Sequence, residues 1–191
     1  MTLCVKADVK TFLSIPSSDT SRDTKIDALI LGAQGAIEKY CNRIFEKAVV
    51  VEYSNGGKNI VHVKRPPINA TPAPVIREDA SREFGSSSII DSDDYFFEDG
   101  GDSFFFDYNL EKGFGSIEIS YTGGYTTIPE AIKQVCVEMV VRKLKMGDTG
   151  DIGVTTKTLP GGGVSISFSQ EDILPDQKIV LNLYRKEPVE N

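Results

Sequence analysis

The nine residues Tyr121-Thr-Gly-Gly-Tyr-Thr-Thr-Ile-Pro129 constrain this chain more than any other stretch. An alternating segment, Ser116-Ile-Glu-Ile-Ser-Tyr121, runs into two glycines, and beyond Pro129 apolar residues recur at helical spacing to about Met146. Glycine reaches positive φ at little steric cost, so a strand can turn sharply at Gly123 and Gly124. Proline suits the first helical turn, where its missing N–H would have had no partner. Thr126 or Thr127 can cap the helix, and Glu130 favours its positive end. Gly123, Gly124, Tyr125 and Pro129 therefore mark a strand-to-helix junction. None of its residues is of a catalytic type.

Before the junction the pattern is first helical and then extended. Residues 6–14 read as a short helix with Val9, Phe12 and Leu13 on one face. After the polar turn Ile15-Pro-Ser-Ser-Asp-Thr-Ser21, any of Asp19, Thr20 or Ser21 can cap a second helix from about Arg22 to Asn42. Its apolar residues are Ile26, Leu29, Ile30, Ala33, Ile37, Tyr40 and Cys41, on a rod of roughly 30 Å. Gly32 and Gly35 lie inside it, either because a neighbour approaches closely or because they are merely tolerated.

From Phe45 the period becomes two. Residues 47–53 and 59–63 flank Asn55-Gly-Gly57 and predict a hairpin. Prolines 66, 67, 72 and 74 bar a central strand, so 64–74 reads as an irregular crossover, with a short strand at Val75-Ile76 and a polar loop at 80–88. The acidic stretch 89–109 carries Tyr95, Phe96, Phe97, Phe104, Phe105 and Phe106 around Asp99-Gly-Gly-Asp102. Asp91, Asp93 and Asp94 invite a calcium reading. An EF-hand loop, however, needs glycine at its sixth position, where Phe96 stands. A hairpin of two aromatic strands, acids to solvent, is the reading adopted here.

After the junction, Ile132, Val135, Cys136, Met139, Val140 and Leu144 form one stripe, widened by Val137 and Val141, and Gly147 can end the helix. Residues 154–159 and 164–168 flank Pro160-Gly-Gly-Gly163 as a hairpin with few large apolar groups, one that needs a partner to become well ordered. A last short helix starts at Pro175, with Ile179, Leu183 and Val180 inward. The predicted fold class is α+β. A small helical core of about four helices (5–44, 128–146 and 173–186) carries a β-rich insertion at 45–127 and a projecting hairpin at 153–169, all in one domain spanning 1–191.

Composition narrows the function. Hydrophobic residues are 40% and charged residues 26% of 191, as in an ordinary globular protein. No apolar run reaches the ~18 residues of a membrane helix, and the N-terminus lacks a signal peptide's pattern, so synthesis in the cytoplasm is expected. A net charge of −7 argues against a dedicated nucleic-acid grip, though not against a surface past which DNA slides. Three cysteines (Cys4, Cys41, Cys136) show no CxxC spacing, and the one histidine, His62, reads as a strand-face residue. Phosphate-loop and nucleophile-elbow motifs are missing, so neither a cofactor, a metal nor an enzymatic activity is expected.

Several of these marks occur together in one known family. They are Val9-Lys-Thr-Phe-Leu13, then Asp19-Thr20, Ile26-Asp with Leu29-Ile and Ala33, and Ile37-Glu-Lys-Tyr-Cys-Asn-Arg43. Further on come Arg65-Pro-Pro-Ile68, the Gly-Gly-Tyr125…Ile-Pro129 junction and Leu183-Tyr-Arg185. In this the chain resembles the head–tail connector proteins of tailed bacteriophages, also called adaptor or head-completion proteins, over about 5–145 and 172–186. The acidic section at 79–113 and the hairpin at 154–168 depart from the family pattern. The resemblance implies a structural virion protein of the neck, made in the host bacterial cytoplasm. It would join neighbouring copies in a roughly twelve-fold ring under the portal protein, with heterologous contacts, and receive the next connector, stopper or tail protein while DNA passes through without sequence-specific binding. It further implies that 173–191 meets the portal through Leu183, Tyr184 and Arg185. The hairpin residues Val154, Thr156, Lys157, Leu159, Val164, Ile166 and Phe168 would meet a neighbour or line the channel. Two other readings compete: a β-dominated tail-completion or stopper protein, and a carbohydrate- or calcium-binding module centred on 89–109.

Overall fold

The computed structural model describes residues 2–150, 156–158, 165–167 and 171–186. In chain order they form α1 (Lys6–Phe12), α2 (Asp23–Cys41), β1 (Ala48–Ser54), β2 (Ile60–His62), β3 (Ile68–Asn69), β4 (Val75–Glu78), β5 (Tyr95–Phe97), β6 (Ser103–Phe106), β7 (Ile117–Gly123), α3 (Glu130–Asp148), β8 (Thr156–Thr158), β9 (Ser165–Ser167) and α4 (Pro175–Asn182). The architecture is α+β, strand-rich between α2 and α3, with a short hairpin before α4. The described residues divide into two compact units: those up to Arg43 with those of 128–186, and Ile44–Thr127.

In the helical unit α3 packs against α1, α2 and α4. All eight residues of its predicted stripe are buried: Ile132, Val135, Cys136, Val137, Met139, Val140, Val141 and Leu144. On α2 the buried positions are Ile26, Ile30, Ala33, Ile37 and Cys41, at spacings of three and four. Gly32 and Gly35 face open space, so they are tolerated rather than required by a close neighbour. On α1 Val9 is buried, but Phe12 is exposed. The inward position goes instead to Lys10, whose ammonium reaches Asp23 Oδ1 and, at 2.7 Å, the Asp19 carbonyl.

Three helix ends differ from expectation. Asp19 spends its carboxylate on the N–H and hydroxyl of Ser21, so α2 starts at Arg22–Asp23 with no side-chain cap. Thr126 donates to Asn69 Oδ1 instead of capping α3, and the Pro129 carbonyl accepts the first helical N–H bonds, from Ile132 and Lys133. The helix also runs past Gly147 to Asp148, whose carboxylate holds Arg22 and Lys25 at 2.6 and 2.9 Å.

The β-unit contains two sheets. In the first, β7 is central: β1 lies antiparallel along one side, Ala48 opposite Gly123 through Ser54 opposite Ile117, while β4 and β3 share the other. The second has the order β2–β6–β5. The hairpin predicted from Asn55-Gly-Gly57 is therefore not formed, since β1 and β2 lie in different sheets. Gly56 and Gly57 donate their N–H groups to the carbonyls of Gly113 and Leu110, and a Cβ on Gly56 would sit 1.8 Å from the Glu111 oxygen. These glycines dock one loop on another rather than close a two-residue turn. The aromatic hairpin does form, with Phe96 opposite Phe105. One core joins the two sheets through Val61, Ile68, Ile76, Phe104, Ile117, Ile119 and Tyr121, with the Phe104 and Tyr121 rings edge-on at 6.3 Å.

Candidate functional site

The junction after β7 is held by its backbone. Gly124 has φ +98°, and a Cβ there would meet the Glu46 carbonyl oxygen at 2.3 Å; one on Gly123 would meet that of Arg65 at 2.2 Å. Asn69, which no sequence motif marks, fastens the turn: its amide nitrogen donates to the carbonyls of Thr122 and Gly124 at 3.1 and 2.8 Å. Tyr125 stacks on Phe45 with centroids 5.9 Å apart and donates its N–H to the Phe45 carbonyl. Tyr121 donates its hydroxyl to Glu52 and accepts the Arg65 N–H. Burial, then the Glu52 bond, push its ionisation far above the ordinary tyrosine range. These bonds are spent on shape.

Of the hairpin residues, Thr156 and Lys157 lie on β8 and Ile166 on β9, in a two-stranded sheet of their own with Lys157 opposite Ile166. Val154, Leu159, Val164 and Phe168 lie outside the described residues. On α4 the helical phase differs from that expected. Ile173, Gln177 and Leu181 point inward, while Ile179 and Leu183 are 70% and 82% exposed. Gln177 takes the inward position because its amide accepts the Leu174 N–H and donates to Glu138. Beyond the helix, the Tyr184 carbonyl accepts from Arg43, and the Arg185 guanidinium lies 5.7 Å from the Tyr40 ring centre. Leu183 and Arg185 are thus exposed, and Tyr184 is half-buried.

The chemistry-bearing side chains are wired for structure. Ser103 donates its hydroxyl to Asp102 at 2.6 Å and lies 2.7 Å from His62 Nδ1. That puts serine in the middle, whereas nucleophilic catalysis needs the imidazole between serine and carboxylate. Cys4 and Cys136, distant in sequence, are free thiols with sulfurs 3.1 Å apart in the helical core. Asp91 caps the short turn before β5 by accepting the Asp93 N–H. Among the described residues no three His, Cys, Asp or Glu side chains are grouped so as to hold a metal ion, and no helix is long and apolar enough to cross a membrane. Exposed large apolar side chains include Val49, Val51 and Tyr53 along β1, Phe96 and Phe105 on the second sheet, Phe114 in the loop before β7, and the α4 pair.

A family model for the head completion protein matches residues 2–187. The chain belongs to that family. No curated protein matches it. Among solved structures that share its fold are two particle necks. The neck of an empty GTA particle computed with C6 symmetry is 12% identical with a TM-score of 0.56, covering 96% of this chain and 90% of that one. The neck of a native GTA particle computed with C12 symmetry is likewise 12% identical, with a TM-score of 0.53, covering 96% and 89%. The family match takes in both units. Gly123, Gly124 and Tyr125 close the strand-rich unit of this head completion fold, and Pro129 opens α3.

Proposed function

We propose that this chain is a structural head–tail connector subunit, located in the virion neck, that joins the DNA-filled head to the next connector or tail component. The observation that carries this reading is the match to the head completion family from residue 2 to 187, which spans helices, sheets and hairpin together. The subunit acts by binding rather than by catalysis, and its surface supports that. Its exposed side chains of note are apolar groups on strands and on α4, the kind that a protein interface covers.

In this reading copies assemble head-to-tail in a ring, roughly twelve-fold, beneath the portal protein. Leu183 and Ile179 on the outer side of α4 meet the portal, with Tyr184 and Arg185 beside them. The β8–β9 hairpin reaches a neighbouring copy or lines the channel, because two short strands alone are marginal and gain from an added strand. DNA passes without being gripped, consistent with 28 acidic against 21 basic residues.

The test is genetic. Removing the gene from the phage or prophage that encodes it should leave DNA-filled heads without tails, and supplying the protein from a plasmid should restore whole particles. Tailed, infectious particles formed in its absence would end the proposal. Complementation by a variant lacking 154–168, at wild-type yield, would end the hairpin assignment alone.

A further inference from the structure

We infer that the outward face of the β2–β6–β5 sheet is a docking surface for a protein other than a copy of this chain. The partner would present an apolar strip edged by lysine or arginine. Strand alternation divides the six aromatic residues of 95–106 between two faces. Val61, Phe104 and Phe97 turn inward to the core. Ile60, Phe105 and Phe96 turn outward, and the register sets them in one line across the sheet, Ile60 opposite Phe105 and Phe105 opposite Phe96. They are 37%, 44% and 66% exposed.

Large apolar side chains in a continuous row on an otherwise charged surface mark an interaction site more often than singly scattered ones do. The edges of this row identify the partner's chemistry. Immediately beyond the two ends of β5 stand Asp94 and Glu98, and immediately beyond β6 stands Asp107, all exposed. None of the three carboxylates meets a cation among the described residues. Lys58 and His62 flank only the β2 end. The row is therefore bounded mainly by unpaired negative charge, which a basic rim would neutralise and a like-charged surface would not. A second copy of this chain, itself net −7, is the poorer match. The platform is also held in place from behind. Val63 and Ile68 donate to the carbonyls of Asp102 and Gly101, and Ala70 donates to the Asp99 carboxylate, so the hairpin turn is fixed before any partner arrives.

The assignment rests on the connector reading only for where such a partner is met, so the probes are the recombinant portal and the recombinant next neck protein of the same particle. Two variants are compared with wild type: Phe96→Ser/Phe105→Ser, and Asp94→Lys/Glu98→Lys/Asp107→Lys. Because every altered side chain is solvent-facing, both should melt as wild type does. Wild type should bind one probe with an affinity that falls as salt rises, and each variant should weaken that binding by about tenfold or more while leaving the other probe unaffected. Binding of both variants to both probes within about twofold of wild type would overturn the surface assignment and leave the connector reading standing. Wild-type binding to neither probe would overturn both. Concentration-dependent self-association abolished by the phenylalanine variant, or saturable binding of a soluble oligosaccharide abolished by it, would overturn the assignment in favour of a second copy or a glycan.

Discussion

At the residue scale the positions that matter most for shape are those with no side-chain freedom to spare. Gly124 combines positive φ with a carbonyl oxygen where its Cβ would go, whereas Gly32 sits on an open helical surface. Gly124→Ala should therefore cost upward of ~2 kcal/mol, and Gly32→Ala should stabilise by up to ~1 kcal/mol. Paired thermal melts check both, and equal effects would contradict the geometry. The cysteines offer a second test at this scale. Burial pushes the Cys41 thiol up to about 11, and the bond from Cys4, with burial, raises Cys136. The bond to Cys136 lowers Cys4, but all three thiols are buried, so a thiol reagent at pH 8 should leave them unlabelled in the folded protein and label them after denaturation; rapid labelling of the native chain would show that the core opens. The glycine pair could be read from sequence because strand, turn and helix are adjacent there. Asn69 could not, since its partners Thr122 and Gly124 lie 53 and 55 positions away.

At the element scale, legibility followed the range of the interactions. The α3 stripe and the aromatic hairpin depend on neighbours in sequence, and their patterns led to the observed elements. The pairing of β1 with β7 joins Ala48 to Gly123 across the whole insertion, and a turn signal beside β1 pointed to the wrong partner. The phase of α4 was misread because its apolar residues lie on several sides and a capping glutamine occupies an inward position. Truncation separates these roles. Leu181→Ala should destabilise by about 2–4 kcal/mol, and Leu183→Ala, on the solvent side, by less than ~0.5 kcal/mol. A reversed order in denaturant titration would restore the sequence-based phase. The helix ends respond to pH. Bonds from Lys10, Lys25 and Lys143 hold the carboxyls of Asp23, Asp148 and Asp172, respectively, below the usual carboxylate range. A depressed folded value gives stability above the unfolded value of 3.8 that is lost as pH falls through the folded one. Melting temperature should hold from neutral pH to about 5 and fall below about 4, less steeply in Asp148→Asn than in wild type. Parallel curves for the two proteins would exclude a part for Asp148.

On the scale of the whole molecule, one family match takes in a helical unit and the strand-rich unit that interrupts it in sequence. The order of helices and strands carried that architecture in the sequence, since a change of period from 3.6 to two and back brackets the insertion. The surfaces that would make it a connector were less legible, because exposure depends on which face of a strand or helix the fold happens to cover. The central claim is that the protein seats on a portal and forms a ring there. Negative-stain imaging of the purified protein, alone and mixed with the portal of its own particle, tests it most directly. An added ring of density on one face of the portal is expected, reduced or lost with Ile179→Ser/Leu183→Ser. Bare portals at saturating protein concentration would contradict it.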